Sequence, residues 1–280
     1  MYPILGRYGP FFLYSYTVVI GVGLAAGIGL SAWFIKKKED GQHPAPYPGW
    51  LDGLLVSLLV ALVGGRIGFV WANWDYFREV PEEMALVWQG GLSYHGAIVS
   101  GLLTLWLWSW WQRRRSRAGD SSNGDSSNSV SFTSYAALLA PGFVLAHLFG
   151  WAACWLAGCA FGRETTIGWL TADLPDSFGV FAVRYQSQLL GLGLTAVVFV
   201  LALVLRRRLP EGPYWWLIFG LMSAAYGVVT LFRGDSMPLV GTFRVDTVLS
   251  AGLVVVSIVG CLLFIVAQSG NRLQLKGRDS

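Results

Sequence analysis

The sequence predicts an all-α fold, a polytopic membrane helix bundle of about seven transmembrane helices with its N-terminus outside and its C-terminus cytoplasmic. Three observations predict it: the composition, the spacing of apolar runs, and the placement of basic residues. Of 280 residues, 54% are hydrophobic and only 13% charged, against about 25% charged in a soluble domain. A soluble chain must cover its surface with polar groups, and this one has too few. A lipid-facing surface removes that requirement. The 14 Trp and 11 Tyr suit membrane interfaces, where amphipathic rings collect. The 35 Gly suit helices whose backbones approach closely in lipid.

Seven runs approach the roughly 20 residues needed to cross about 30 Å of hydrocarbon. They are Phe11–Ile35, Gly53–Trp71, Leu92–Trp111, Tyr135–Leu156, Ser187–Leu205, Tyr214–Phe232 and Thr247–Ala267. Together they make a single transmembrane domain over 1–280. The segment before the first run carries only Arg7 and no convincing small-residue cleavage site, so that run is read as a retained span. Between spans, residues 72–90, with Trp74, Tyr76 and Phe77, are expected to form an interfacial arm. Residues 118–129 (AGDSSNGDSSNS) read as a disordered cytoplasmic loop. Residues 157–186 form an outer-face segment, and no internal repeat is evident.

Basic residues set the orientation. With the N-terminus outside, inner segments hold Lys36, Lys37, Lys38, Arg113, Arg114, Arg115, Arg117, Arg206, Arg207, Arg208, Arg272, Lys276 and Arg278, which is 13 of the 20 Lys and Arg. Outer segments hold six: Arg7, Arg78, Arg163, Arg184, Arg233 and Arg244. That asymmetry favours this orientation. Cys154, Cys159 and Cys261 read as small buried residues without a disulfide framework, and no Cys/His cluster has zinc spacing.

Function must come from polar groups that lipid does not tolerate. An Arg at the bilayer centre costs at least about 2.5–3.5 kcal/mol, so Arg66, in GGRIG, needs a carboxylate, a watery cavity or a lipid phosphate. His95, in GGLSYHGA at the outer start of the third span, is placed to relay a proton or to cap the helix. His147, in an apolar stretch, reads as a core histidine. Arg163 and Arg233 follow the fourth and sixth spans, and guanidinium groups suit phosphate because they bind it bidentately. The residues themselves point to a membrane protein that handles a phosphorylated lipid or another anion near the outer face.

The block GGRIGFVWANWDYFREVPEEMALVWQGGLSYHGAIVSG (64–101) resembles the prolipoprotein diacylglyceryl transferases of bacteria, and the likeness runs from about Gly9 to the seventh span. The resemblance implies transfer of the diacylglyceryl group of phosphatidylglycerol to a prolipoprotein's lipobox cysteine, releasing glycerol phosphate. It implies His95 and Tyr16 (in LYSYT) as catalytic residues. AGCAFGRE resembles the end of the family signature and implies Gly158 and Arg163. QSQL implies Gln188, and LFRGD implies Arg233; with Arg66 these make the expected substrate- and phosphate-binding set. The chain departs from the pattern at Trp151 and Tyr226, where the family has Arg, at Cys154 in place of Asn, and at Thr230 and Gly191 in place of Glu. Phosphatidylglycerol, the lipobox of a prolipoprotein and membrane lipids are the expected partners. Neither cofactor nor metal is implied, and nothing calls for nucleic acid. The departures motivate one alternative, a catalytically inactive homologue that binds lipid or lipoprotein. A transporter is disfavoured by the lack of repeat symmetry.

Overall fold

A computed structural model of the protein describes residues 4–9, 11–39, 49–87, 91–119, 131–176 and 178–276. Two compact units share the chain, one of residues 35–136 and one of residues 1–34 with 137–280.

In the unit of residues 35–136, α2 (Trp50–Ala72) and α4 (Tyr94–Gly119) pack side by side. A short helix, α3 (Trp74–Phe77), and a 3-10 turn, Pro81–Ala85, lie between them in the chain. Glycine sets how closely the long helices approach. A Cβ on Gly96 would meet the Gly64 carbonyl oxygen at 2.5 Å, and one on Gly53 would meet Trp108 at 2.5 Å. The other face of α2 carries Leu59, Val63 and Ile67 at 67%, 57% and 64% exposure. Spaced four apart, they form one continuous apolar stripe, the face a membrane helix turns to lipid.

The other unit begins with a hairpin of β1 (Ile4–Tyr8) and β2 (Phe11–Tyr14), followed by α1 (Ser15–Glu39), which contributes its residues to Phe34. From Ala137, α5 (Phe132–Ala157) leads to the hairpin β3 (Thr171–Pro175) and β4 (Phe181–Tyr185). Then come α6 (Ser187–Leu205), α7 (Glu211–Thr230), the hairpin β5 (Leu239–Val240) and β6 (Phe243–Arg244), and α8 (Val245–Lys276). Small residues again allow close packing: a Cβ on Gly27 would sit 2.5 Å from the Gly142 carbonyl oxygen. Polar bonds join neighbouring helices, with Tyr214 donating to the Ala202 carbonyl at 3.0 Å and Ser257 donating to the Trp216 carbonyl.

Among the described residues, five helical stretches are long and apolar enough to cross a membrane: Ser15–Lys37, Trp50–Ala72, Phe132–Ala157, Ser187–Leu205 and Val245–Gln268. The chain is therefore a multi-pass helical membrane protein. The other two long helices, α4 and α7, are richer in Trp, Tyr and Gly, which makes them less apolar. At the end of α4, Arg114 and Arg115 lie over the rings of Trp110 and Trp111 at 3.9 and 3.8 Å. Basic heads over aromatic rings suit a membrane interface.

The structure corrects several expectations. Among the described residues there are three two-stranded hairpins, one ahead of α1 and two between helices, so the fold is not purely α. The first predicted span began at Phe11, but Phe11–Tyr14 pair with β1 and the helix starts at Ser15. Cys154 and Cys159 form a disulfide. They meet because α5 stops at Ala157 and Gly158 turns the chain back in the left-handed region, φ +80°, where an L side chain is disfavoured. Of the expected disordered loop, Ala118 and Gly119 belong to α4 and the remainder lies outside the described residues. In the arm, Phe77 is buried while Trp74 and Tyr76 are exposed; residues 88–90 lie outside the described set.

The segment 157–186 folds around two ionic anchors. Arg184, buried on β4, reaches Glu164 at 2.9 Å and Asp176 at 3.4 Å. The Asp176 carboxylate accepts from the Phe178 and Val180 amides at 2.8 and 3.0 Å, closing the β3–β4 turn. The Val180 amide foremost, with the Phe178 amide and Arg184, holds the Asp176 carboxyl below its ordinary 3.8, against an opposing push from burial. A depressed carboxylate stabilises the fold above its ordinary value, and that contribution fades as pH falls through the lowered one. Hydrogen exchange across 176–182 is therefore expected to lose protection only below about pH 3.8, and Asp176→Asn should remove the pH dependence.

Candidate functional site

Arg66 lies near the end of α2, is 7% exposed, and is spent on backbone carbonyls. Its Nε donates to Met84 at 2.9 Å, Nη2 to Glu83 at 2.6 Å and Nη1 to Gly91 at 3.1 Å. Phe69 and Phe77 place their rings 5.6 and 5.2 Å from its guanidinium carbon. A hydrogen bond to a charged group contributes about 1.5–3 kcal/mol, so three together offset the roughly 2.5–3.5 kcal/mol cost of an Arg in the membrane. Arg66 thus ties both ends of the segment 83–91 to α2. The Ser93 amide donates to the Gly65 carbonyl at 2.8 Å, adding a backbone tie beside it.

That tie fixes the entry to α4, whose second residue is His95. The imidazole is 4% exposed and edge-on to the Tyr94 ring, with centroids 5.2 Å apart. Ser93 Oγ accepts from the Gly96 amide at 3.2 Å, capping the helix beside the histidine. The structure thus places Arg66 and His95 on neighbouring helices joined by close glycine contacts.

In the other unit, Gly158, Arg163 and Gln188 meet in one loop. Buried Gln188, on the first turn of α6, donates from Nε2 to the Cys159 carbonyl at 2.8 Å, and its equally buried Oε1 has no donor among the described residues. The Ser187 hydroxyl donates to the Ala160 carbonyl at 2.5 Å. Gly162 bridges to Arg233, and the Arg163 amide donates to the Phe232 carbonyl at 2.9 Å. The Arg163 side chain is exposed, 5.7 Å from the Tyr185 ring, and makes no hydrogen bond or ion pair among the described residues.

Arg233 is differently disposed. Its Nε and Nη2 donate to the two Asp235 carboxylate oxygens, and Nη1 donates to the Tyr226 hydroxyl at 2.9 Å. Asp246, with a fully buried carboxylate, lies 3.7 Å from Arg233 and accepts from Arg244 at 3.1 Å. Two cations and two anions form this cluster, so it has little net attraction left for a further anion. Tyr16, 40% exposed on the first turn of α1, has no hydrogen-bond partner among the described residues.

Residues 3–263 match the family described as prolipoprotein diacylglyceryl transferase. The chain belongs to that family. A relative named phosphatidylglycerol–prolipoprotein diacylglyceryl transferase from Bacillus cereus (strain G9842) is 28% identical over 258 residues, 90% of this chain and 87% of the relative. One of the same name from Trichormus variabilis is 26% identical over 260 residues, 89% of this chain and 84% of the relative.

Trp151, Gly191 and Tyr226 are neighbours. Trp151 lies 6.0 Å from the Tyr226 ring, and His147 lies 6.1 and 6.4 Å from those two rings. A Cβ on Gly191 would overlap the Trp151 indole. Thr230, fully buried, shares a 2.8 Å hydrogen bond with Thr247. An aromatic cluster thus occupies this part of the interior, and glycine at 191 makes room for it. Gly191→Ala is expected to destabilise the protein by about 1–3 kcal/mol, the range for overpacking, read as a lower unfolding temperature in detergent; Trp151→Leu should relieve it.

Sequence reasoning missed Asp235, Arg244 and Asp246. The signal was present as two Arg-x-Asp triplets, Arg233–Asp235 and Arg244–Asp246. The carbonyl partners of Arg66 left no such mark, because every residue carries a carbonyl.

Proposed function

We propose that this chain transfers the diacylglyceryl group of phosphatidylglycerol to the lipobox cysteine of a prolipoprotein at the outer face of a bacterial plasma membrane. The observation that carries this is the family match over residues 3–263, together with relatives whose names state that reaction. The thiol sulfur attacks the glycerol carbon that bears the phosphate ester. That carbon–oxygen bond breaks, and glycerol phosphate leaves with the oxygen and the bonding pair.

We assign the roles from the geometry of each unit. The attacking form is thiolate, and buried His95 takes the thiol proton; Tyr16, in this reading, lies beside the incoming substrate. The Arg163 guanidinium, which makes no hydrogen bond or ion pair among the described residues, binds the phosphate of phosphatidylglycerol. Gly158 and Gln188 hold the backbone of its loop. Arg66 serves the reaction by holding the arm, and Arg233 by tying α7 to that loop through Gly162.

Seven spans with the N-terminus outside accord with this reading. Thirteen basic residues then face inward, and the disulfide lies on the oxidising side. Arg163→Ala is expected to raise KM for phosphatidylglycerol by about 10–100-fold, the loss of one charge-assisted contact of about 1.5–3 kcal/mol. Initial rates against phosphatidylglycerol concentration measure this. An unchanged KM would remove Arg163 from the phosphate site.

A further inference from the structure

The loop that bears Arg163 holds a conformation that short loops do not keep unaided. Gly158 and the non-glycine Ala160 both lie in the left-handed region, at φ +80° and +54°, on either side of Cys159. A residue such as Ala160 is disfavoured there, and it persists only where its surroundings over-determine it. The Gly158 and Cys159 amides both donate to the Cys154 carbonyl, at 2.8 and 3.1 Å, and the disulfide holds the two Cα atoms 4.8 Å apart. Gln188 and Ser187 take the next two carbonyls, and Gly234 donates to the Phe161 carbonyl at 2.8 Å. From Cys159 the chain runs directly into Gly162 and Arg163.

We infer that the Cys154–Cys159 disulfide positions Arg163 for the phosphate, which makes both cysteines positioning residues and makes donor-lipid affinity depend on their oxidation state. The inference rests on the phosphate role proposed for Arg163. Reduction by a dithiol breaks the Sγ–Sγ bond with two electrons and two protons and leaves two thiols, while the dithiol becomes a disulfide. The covalent end of the loop is then lost, and the strained turn at Ala160 is held by hydrogen bonds alone. A small displacement of a positioned group is enough to weaken what it binds.

The test uses the full-length protein in detergent. Peptide mapping without reductant first establishes the bond; two free thiols would overturn the inference at once. Oxidised, dithiothreitol-reduced and re-oxidised samples are then compared, with reductant removed anaerobically. Phosphatidylglycerol binding to the protein and KM for transfer to a reduced lipobox peptide are both measured. Reduction should weaken binding and raise KM by about tenfold with kcat within about twofold, and re-oxidation should reverse both. Hydrogen exchange should rise in 159–165. A Cys154→Ser/Cys159→Ser variant should match the reduced sample and ignore the reductant. Equal affinity in both redox states would overturn the inference, even if exchange rises. If binding responds to reduction but no sample makes thioether product, this inference stands and the proposed reaction fails.

Discussion

Replacing His95 with glutamine is expected to slow thioether formation by about 10²–10⁴-fold, the usual contribution of a positioned general base. Glutamine keeps the size and hydrogen-bonding capacity that a helix-capping role would need, so the loss isolates proton transfer. The pH profile provides a second reading. A free cysteine titrates near 8.5, so solvent supplies more of the attacking thiolate as pH rises. The variant should recover part of its rate between about pH 7 and 9, while KM for phosphatidylglycerol stays unchanged. Undiminished activity at neutral pH would remove His95 from the chemistry. A loss that is flat with pH would reassign it to holding the start of α4.

Arg66→Ala is expected to abolish transfer by releasing the arm. The substitution leaves the Glu83, Met84 and Gly91 carbonyls without the donor they share. A fully buried acceptor left unsatisfied costs about 1–3 kcal/mol, and these part-buried ones cost a share of it. Glu83, Met84 and Gly91 should therefore detach from α2, and the chain at Glu83–Met84 should become open to protease in the folded protein. Lysine should not rescue it, because an ammonium is a compact point charge and cannot span three carbonyls as a planar guanidinium does. Limited proteolysis followed by mass spectrometry reads the release directly. A variant whose arm stays protected but whose KM for phosphatidylglycerol rises would instead make Arg66 a phosphate ligand.

The long helices were legible in the sequence because lipid imposes a simple demand, a sustained run of apolar residues. The prediction for α6, Ser187–Leu205, agrees with the structure at both ends, where Gln186 and Arg206 bound an uninterrupted apolar stretch. The hairpins were not legible, since strands of two to five residues are too short to show alternation. The disulfide was hidden for a different reason. Residues five apart on a continuing helix do not face each other, and Cys154 and Cys159 meet only because the helix ends between them.

At the candidate site the residue types were legible and their allegiances were not. Arg66, Arg163 and Arg233 look alike as intramembrane or boundary cations, yet one holds carbonyls, one holds carboxylates, and Arg163 has only the Tyr185 ring among the described residues. The departures at Trp151, Gly191 and Tyr226 read singly as lost polar groups. In the fold, Gly191 and Tyr226 both pack against Trp151.

The most direct measurement supplies the purified protein with phosphatidylglycerol and a synthetic lipobox peptide and seeks the diacylglyceryl thioether by mass spectrometry. The peptide with its cysteine changed to serine and the His95→Gln protein serve as controls. An adduct that needs both the peptide thiol and His95, formed with release of glycerol phosphate, is the predicted result. Binding of lipid and peptide with no adduct, while a relative with the complete family signature makes it in the same assay, would contradict the assignment and mark this chain as a binding homologue.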